Sequence, residues 1–178
     1  MLVNIVEAGA LDLDATLGVE RAAFGQEDEA ELVIALLQDL TARPHLSLLG
    51  LVDDRPVGHV LFTPVSIAGA ATTCSAAILA PLAVHPDFQR QGIGGTLIED
   101  GARRLAASGV RLVFVLGHPA YYMRFGFSPA LKSGLVPPYP VFPQEAWMVR
   151  PLDPNILGTV SGRVSCAQSL DKPEYWRE

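Results

Sequence analysis

Residues 85–96 read HPDFQRQGIGGT, and this short stretch decides the fold. Three glycines, one arginine and two glutamines fall within seven of its positions. An uninterrupted apolar run ends at Val84, and an amphipathic run with Leu97, Ile98 and Leu105 at helical spacing follows. This order predicts a strand, a tight loop and then a helix whose N-terminus contains the glycines.

The predicted helix start has the chemistry of an anion site. First-turn amides have no intrahelical acceptor, and the helix dipole adds to their attraction for anions. Glycines lack Cβ, so several backbone N–H groups can approach a large phosphate group. Arg90 adds a positive charge, and Asp87 is the only acidic residue between Val84 and Glu99. The pattern predicts a pyrophosphate cradle, and the alternative is a tight turn that only holds the helix against a sheet.

Two other phosphate-binding loops do not fit these residues. A Walker loop requires Lys-Ser/Thr after its last glycine, whereas Thr96 and Leu97 follow Gly95. A dinucleotide-binding loop follows the first strand of a parallel βαβ unit, whereas an antiparallel meander precedes these glycines.

The rest of the chain predicts an α+β fold. At 178 residues we expect one domain, 1–178, with helices on both faces of a mixed, mostly antiparallel sheet of about six to seven strands. Asp12 or Asp14 is the expected cap of the first helix. The predicted strands are 2–6, 46–52, 57–67, 72–84, 110–116, 145–152 and 158–167, with a turn at 68–71 and helices near 13–24, 29–40, 97–108 and 119–125.

Composition excludes several functions. A net charge of −6 makes nucleic acid an improbable partner. Residues 56–86 carry no Asp, Glu, Lys or Arg, but Pro64 and Pro81 interrupt them, so strands fit better than a membrane span. Cys74 and Cys166 are far apart and lack metal-ligand spacing, which predicts a reduced, cytoplasmic setting and no metal site. A homodimer is left open.

Two motifs resemble those of a known family. Residues 82–101, LAVHPDFQRQGIGGTLIEDG, resemble the acetyl-CoA motif Q/R-x-x-G-x-G/A of the GNAT superfamily of N-acetyltransferases. Residues 121–127, YYMRFGF, resemble its F-Y-x-x-x-G-F element. Residues 21–33, RAAFGQEDEAELV, and 117–127, GHPAYYMRFGF, resemble the YhbS-like branch.

The resemblance implies a particular cofactor geometry. Acetyl-CoA is the expected co-substrate, its pyrophosphate lies on the loop amides, and its pantetheine arm runs along the strand before the loop. The strand at 110–116 would diverge to admit that arm, and Pro81, which lacks an N–H, fits where sheet pairing is interrupted. The expected cofactor-binding residues are Leu82, Ala83, Val84, Gln89, Arg90, Gln91, Gly92, Ile93, Gly94, Gly95, Thr96 and His118.

The transfer chemistry needs an acid, a carbonyl polariser and a base. A tyrosine, with a pKa of about 10, suits protonation of a leaving thiolate of pKa ~8.5. Tyr122 aligns with the family's tyrosine, and Tyr121 is expected to pack in the core; both could also be core aromatics. The N–H of Val84 or Ala83 is the candidate polariser. His85, His118 and a water relay all remain candidates for the base.

Charge distribution suggests the acceptor. Residues 1–60 have a net charge of −8, whereas residues 87–132 have +3. The expected acceptor is a small or peptide-borne primary amine, attracted as a cation by a group of carboxylates. The alternative is that these carboxylates only solvate the start of a helix. A non-catalytic acyl-CoA sensor on the same fold is the alternative function. The carboxylates concerned are Glu20, Glu27, Asp28, Glu29 and Glu31.

Overall fold

The computed structural model describes residues 1–70 and 74–177. Ala71 of the predicted turn, and Thr72 and Thr73 of the predicted third strand, lie outside them. Within the described residues the helices are α1 (Leu13–Phe24), α2 (Asp28–Gln38), α3 (Ile93–Ala107) and α4 (Pro119–Tyr122). The strands there are β1 (Asn4–Glu7), β2 (Leu46–Val52), β3 (Arg55–Ile67), β4 (Ala76–Val84), β5 (Leu112–Leu116), β6 (Ser128–Pro129), β7 (Leu135–Val136), β8 (Trp147–Pro151) and β9 (Gly162–Ser165).

The sheet confirms the predicted α+β class. Its main path has the order β1-β2-β3-β4-β5-β8-β6, and only the β4–β5 pair on that path is parallel. The short strands β7 and β9 lie off this path, with β9 pairing to the end of β3. The described part of the sheet is therefore mixed and mostly antiparallel, as the order of the predicted elements indicated.

Helices cover both faces of the sheet, as predicted. Strand side chains alternate between faces, so β3 contributes Leu61 to one core and Phe62 to the other. Helices α1 and α2 pack on the first core through apolar residues such as Leu17 and Leu36. Helix α3 packs on the second through Leu97 and Ile98.

The start of α1 differs from the prediction. Asp12 stands at its N-cap position but makes no side-chain cap hydrogen bond to α1. The Gly9 N–H instead donates to the Asp12 carboxylate at 2.8 Å. Asp12 therefore closes the 3₁₀ turn Ala10–Asp12 that precedes the helix.

Strands β4 and β5 separate in the middle of the sheet. Their parallel pairing extends from Ala76 and Leu112 to Ile78 and Phe114. Beyond that point β5 continues along β8 as far as Leu116. On the other side of β4, two residues, Ala80 and Pro81, oppose the single residue Leu61 of β3, which is a bulge that bends the strand. The divergence leaves a V-shaped gap between two strands of a continuous sheet.

Candidate active site

A cleft of about 1300 Å³ passes through this gap. Because an ordinary small-molecule pocket has roughly 300–1,000 Å³, the cleft has room for a large molecule and a second substrate. One half is formed by β4, the loop before α3 and the aromatic residues of α4. The other half is formed by the end of α1, the start of α2 and the C-terminal segment. Since α3 lies on one face of the sheet and α1 and α2 on the other, the gap connects the two faces.

The loop before α3 has the backbone geometry expected of an anion site. Gly92 is the N-cap, with a φ of 85°, and Arg90 is also left-handed, with a φ of 62°. Left-handed residues in such a loop turn successive N–H groups toward one concave surface. The Thr96 N–H donates to the Gly92 carbonyl, which leaves the N–H groups of Gly92 to Gly95 ahead of the first intrahelical bond. The cleft lining includes Gln89, Arg90, Gly92, Ile93, Gly94 and Gly95.

Both glutamines of the loop support its backbone. The Gln89 side chain donates to the Val84 carbonyl at 3.1 Å, and that of Gln91 to the Asp87 carbonyl at 3.3 Å. Gln91 is not among the described residues that line the cleft, and Thr96 lines a shallower neighbouring depression. We infer that the glutamine side chains hold the shape of the loop, so their own contribution to a ligand is through backbone amides.

Gly94 and Gly95 leave room for aromatic side chains that come later in the sequence. A Cβ on Gly94 would collide with the Tyr121 hydroxyl, and one on Gly95 would lie 2.6 Å from the ring of Phe125. The Arg124 guanidinium lies 4.8 Å from the centre of the Tyr121 ring and lines the cleft. Arg124 is a cation that sequence reasoning missed; only its place in the basic segment 87–132 pointed to it.

The edge of β4 offers free backbone groups to the gap. The His85 N–H donates to the Val57 carbonyl of β3, and successive N–H groups of a strand alternate in direction. The N–H groups of Val84 and Leu82 therefore point away from β3, and both residues line the cleft. Ala83 is 2% exposed, and its N–H faces β3. Of the two candidate polarisers, the structure favours Val84.

Tyr122 stands at the mouth of the gap. Its ring packs against Gly117, where a Cβ would lie 2.5 Å away, and edge-on to Phe127 at 5.7 Å between centroids. Both tyrosines line the cleft. Tyr121 packs against the second core, as expected, but it is only partly buried and its hydroxyl reaches Gly94. Burial raises the pKa of Tyr121, and the nearby Arg124 opposes that rise.

The two candidate histidines occupy different places. His118 is an exposed residue of the cleft lining, at the N-cap of α4. His85 caps the 3₁₀ turn Pro86–Phe88, where its Nδ1 accepts the Asp87 N–H at 3.2 Å. His85 is not among the described residues that line the cleft. The structure thus gives His85 a structural role and leaves His118 beside the cleft.

The acidic side of the cleft is smaller than predicted. Asp28, Glu29 and Glu31, at the start of α2, line it. The Glu27 carboxylate is instead paired with the Arg21 guanidinium at 2.8 Å. Glu20 is 0% exposed on the buried face of α1, so its inclusion among the surface carboxylates is wrong.

The C-terminal segment closes the cleft opposite α2. Trp176 is 2% exposed; its indole N–H donates to the Leu170 carbonyl at 3.0 Å, and its ring lies 5.6 Å from that of the buried Trp147. This anchor holds Glu174 and Tyr175 in the cleft wall. Sequence reasoning assigned no role to these residues, and no local pattern distinguishes them from an ordinary tail.

Sequence comparison supports the geometry. A family model described as an acetyltransferase (GNAT) domain matches residues 45–129, which run from β2 to β6. The chain is 45% identical to the N-acetyltransferase YjhQ of Escherichia coli K12, over 84% of this chain and 83% of YjhQ. It is 34% identical to the N-acetyltransferase YhbS of the same strain, over 97% of this chain and 99% of YhbS. This protein is a member of the GNAT family of N-acetyltransferases.

Solved structures agree with this membership. This GNAT protein resembles the crystal structure of E. coli YhbS in complex with CoA, with a TM-score of 0.87 and 29% identity over 96% of this chain and 92% of that one. It also resembles a GNAT acetyltransferase of Brucella melitensis in complex with acetyl-CoA, with a TM-score of 0.73 and 29% identity over 96% and 99% of the two chains. These two structures contain the ligand class that the loop before α3 predicts.

Within residues 1–70 and 74–177, this GNAT protein has no group of three or more His, Cys, Asp or Glu side chains that could hold a metal ion. None of the helices described is both long and apolar enough to cross a bilayer.

A chain of buried polar groups lies beneath α1. The Glu20 carboxylate bonds to Nδ1 of His59 at 2.5 Å, and Nε2 of His59 bonds to the Ser47 hydroxyl at 2.9 Å. Glu20 and His59 are 0% exposed and Ser47 is 3% exposed. The order Ser-His-Glu is that of a hydrolytic triad, but a serine buried in this way cannot reach a substrate. No sequence pattern pointed to this chain, because its members come from α1, β2 and β3.

Asp39 ties the C-terminal segment to the end of α2. One carboxylate oxygen accepts the N–H and hydroxyl of Thr41, at 2.8 and 2.6 Å, and the other accepts the Ser169 N–H at 2.9 Å. These hydrogen bonds lower the pKa of Asp39 from 3.8 to about 2, and the bond from the Thr41 hydroxyl has the largest effect. We expect Asp39→Asn to cost about 1 kcal/mol and to lower Tm by ~2–4 °C, because an amide NH2 in place of one carboxylate oxygen leaves Thr41 or Ser169 without its acceptor.

The pH dependence of that effect tests its cause. A carboxyl whose pKa is depressed on folding stabilises the protein fully above its unfolded pKa, and this contribution is lost as pH falls through the folded pKa. The Tm difference between wild type and Asp39→Asn should therefore be full above about pH 4 and shrink toward pH 2. Asp54→Asn, in the exposed β2–β3 turn, is the control. A difference that stays constant from pH 6 to pH 2.5 would contradict the assignment.

Proposed function

We propose that this protein transfers the acetyl group of acetyl-CoA to a primary amine by direct attack in a ternary complex. One observation carries the proposal: a single cleft joins the free amides at the start of α3, on one face of the sheet, to a second opening bounded by α2, on the other face. A cofactor and an acceptor can therefore meet in the β4–β5 gap from opposite sides.

The proposed roles follow from these positions. The amides of Gly92 to Gly95, with Arg90, bind the pyrophosphate. The outward backbone groups of Leu82 pair with the pantetheine arm, and the Val84 N–H polarises the thioester carbonyl. Tyr122 protonates the departing sulfur. His118 is retained as a cofactor contact, and the acetyl thioester supplies the activated acyl group.

Thiol release tests the proposal against its alternative. Wild-type protein with acetyl-CoA should release thiol in the presence of at least one member of a panel of amines, and CoA should raise its Tm. The acceptor side of the cleft favours an enzyme over a sensor, because a sensor would need only the cofactor side. Protein that binds acetyl-CoA and releases no thiol with any amine would indicate the sensor. Absence of both binding and turnover would overturn the proposal itself.

The acceptor is proposed to arrive as a cation. Asp28, Glu29 and Glu31 line one side of the cleft, and Phe24 and Tyr175 offer aromatic surface beside them. We expect kcat/KM for a protonated amine to fall as salt rises, because screening limits steering beyond ~8 Å at physiological ionic strength. Neutralising Asp28, Glu29 and Glu31 together should raise KM for the amine and leave that for acetyl-CoA within about twofold.

Glu27 provides the matched control for this prediction. It belongs to the same acidic run but is paired with Arg21 outside the cleft lining, so Glu27→Gln should leave amine kinetics unchanged. Equal effects of Glu27→Gln and the triple substitution would show that the carboxylates only favour the helix start.

We further propose that residues 1–178 form one domain that works in the cytoplasm. One sheet joins segments from β1 to β9, and both cysteines are free.

A further inference from the structure

The hydrogen-bonded chain Glu20–His59–Ser47 leaves one of its buried polar atoms without a partner among the described residues. Neither the second carboxylate oxygen of Glu20, Oε2, nor the hydroxyl of Thr63 has a hydrogen-bonding partner among the described residues, and both atoms are buried. Buried polar atoms in native proteins are almost always hydrogen-bonded, to protein or to an ordered water. A bound water is the ordinary partner for each such atom that no protein group satisfies.

Sheet register places Thr63 and His59 of β3 next to the part of β4 that lines the cleft. Thr63 pairs with Ile78 of β4, and His59 pairs with Ala83. The β4 bulge at Ala80 and Pro81 lies between these two pairs, and Ile78, Ala80 and Pro81 all line the cleft. Directly paired residues have Cβ atoms roughly 4.5–5.5 Å apart, so the Thr63 side chain lies next to a residue of the cleft lining.

The pair is an expensive feature to bury. An ionised carboxylate loses several kcal/mol of solvation in a protein interior, and a salt bridge there repays this only in part. Burial raises the pKa of Glu20, the hydrogen bond and charge of His59 oppose the rise, and Glu29 adds to it. The ionisable groups that face Glu20 are thus His59 from β3 and Glu29 from α2, since β4 carries no ionisable side chain.

We propose that the Glu20–His59 pair accepts the proton that the acceptor ammonium must lose, through buried water held at Glu20 Oε2 and at the Thr63 hydroxyl, which lies beside the cleft. The inference rests on the proposed transferase function and supplies the base that the cleft otherwise lacks on β4. Glu20 and His59 act through the water, so they are positioning residues and do not touch the substrate. Ser47 orients the His59 ring from its other nitrogen.

The proton balance of the step is closed. The ammonium gives one proton through the water to the Glu20–His59 pair, and its nitrogen lone pair then forms the C–N bond to the thioester carbon. The C–S bond breaks with its electrons on sulfur, which takes the Tyr122 proton, and the resulting phenolate takes the second proton from nitrogen. The pair returns its proton to solvent before the next turnover, so each cycle releases one proton, one amide and one thiol.

Glu20→Gln tests the relay. The substitution keeps the size and a hydrogen-bonding oxygen but removes the proton acceptor. We expect kcat at pH 7 to fall about 10²-fold, as for loss of a general base, with KM for acetyl-CoA and the CoA-induced Tm shift unchanged. The deficit should shrink as pH rises toward ~10, because an amine of pKa ~10.4 then increasingly arrives neutral and needs no base. A structural defect would lower kcat by the same factor at every pH.

Matched variants separate the relay from its rivals. Ser47→Ala removes the hydrogen bond that orients the His59 ring but keeps the proton acceptor, so it should show a smaller deficit than Glu20→Gln with the same pH trend. Thr63→Val keeps the shape of the side chain and should show a smaller deficit in kcat with the same pH trend. It is the test of the relay if Glu20→Gln fails to fold. A deficit in Glu20→Gln that does not vary with pH, or a pH-dependent deficit in His118→Gln or Glu29→Gln in place of Glu20→Gln, would overturn the relay while leaving the transferase intact. Wild type without turnover would overturn the transferase proposal and the relay with it.

Discussion

Tyr122→Phe is expected to lower kcat about 10²-fold or more while acetyl-CoA still binds. The loss corresponds to ~2.7 kcal/mol of transition-state stabilisation, within the range for removal of a general acid. The phenylalanine ring retains the packing against Gly117 and Phe127, so the fold and the shape of the gap should persist. Thiol release at saturating acetyl-CoA and amine measures the effect, and the CoA-induced Tm shift monitors binding.

Tyr121→Phe is the paired control. Its hydroxyl lies against Gly94 at the anion end of the cleft, whereas Tyr122 lies against the end of β5. Removing the Tyr121 hydroxyl should therefore leave kcat within a few-fold of wild type. If Tyr121→Phe carried the loss and Tyr122→Phe did not, the acid would be misassigned by one residue.

Gly94→Val should abolish the stabilisation of the protein by CoA. The new side chain would collide with the Tyr121 hydroxyl at the start of α3, so the first turn or the tyrosine must move away from its position in the cleft. For wild type, CoA at 100 times its Kd should add ~2.7 kcal/mol of stability and raise Tm by about 5–10 °C. For Gly94→Val, no concentration-dependent shift is expected.

Substitutions at two further glycines test whether the loss of the CoA-induced Tm shift is specific to the loop before α3. Gly92→Val should also abolish the shift, through a different cause: no atom crowds the new side chain, but a φ of 85° disfavours a β-branched residue. Gly18→Ala, inside α1 with nothing within 4 Å of its Cβ, should preserve the CoA shift and stabilise the helix by up to ~1 kcal/mol. A normal CoA shift in both Gly94→Val and Gly92→Val would show that the phosphates bind elsewhere.

The sheet, the helices and the anion loop were accessible from sequence because each depends on neighbours in the chain. Strand β4, the loop and α3 follow one another without interruption, so the apolar run, the glycines and the helical spacing define them locally. The short strands β6 and β7 were missed, since two residues are too few to show a period. The contacts that require glycine at positions 94 and 95 were also missed, because Tyr121 and Phe125 reach them from α4 and the turn that follows it.

The sequence by itself determined the family, the α+β class and the position of the glycine loop before α3, since these lie in contiguous motifs. Only the tertiary structure decided which acidic residues face the cleft, what closes it and what lies behind it. Glu27 and Glu29 are two residues apart, yet one pairs with Arg21 and the other lines the cleft. Asp39 meets Ser169 across 130 positions, and Glu20 meets His59 across 39. Such contacts depend on how whole elements pack, and the packing of an element reflects the total apolar surface it buries, which no short pattern encodes.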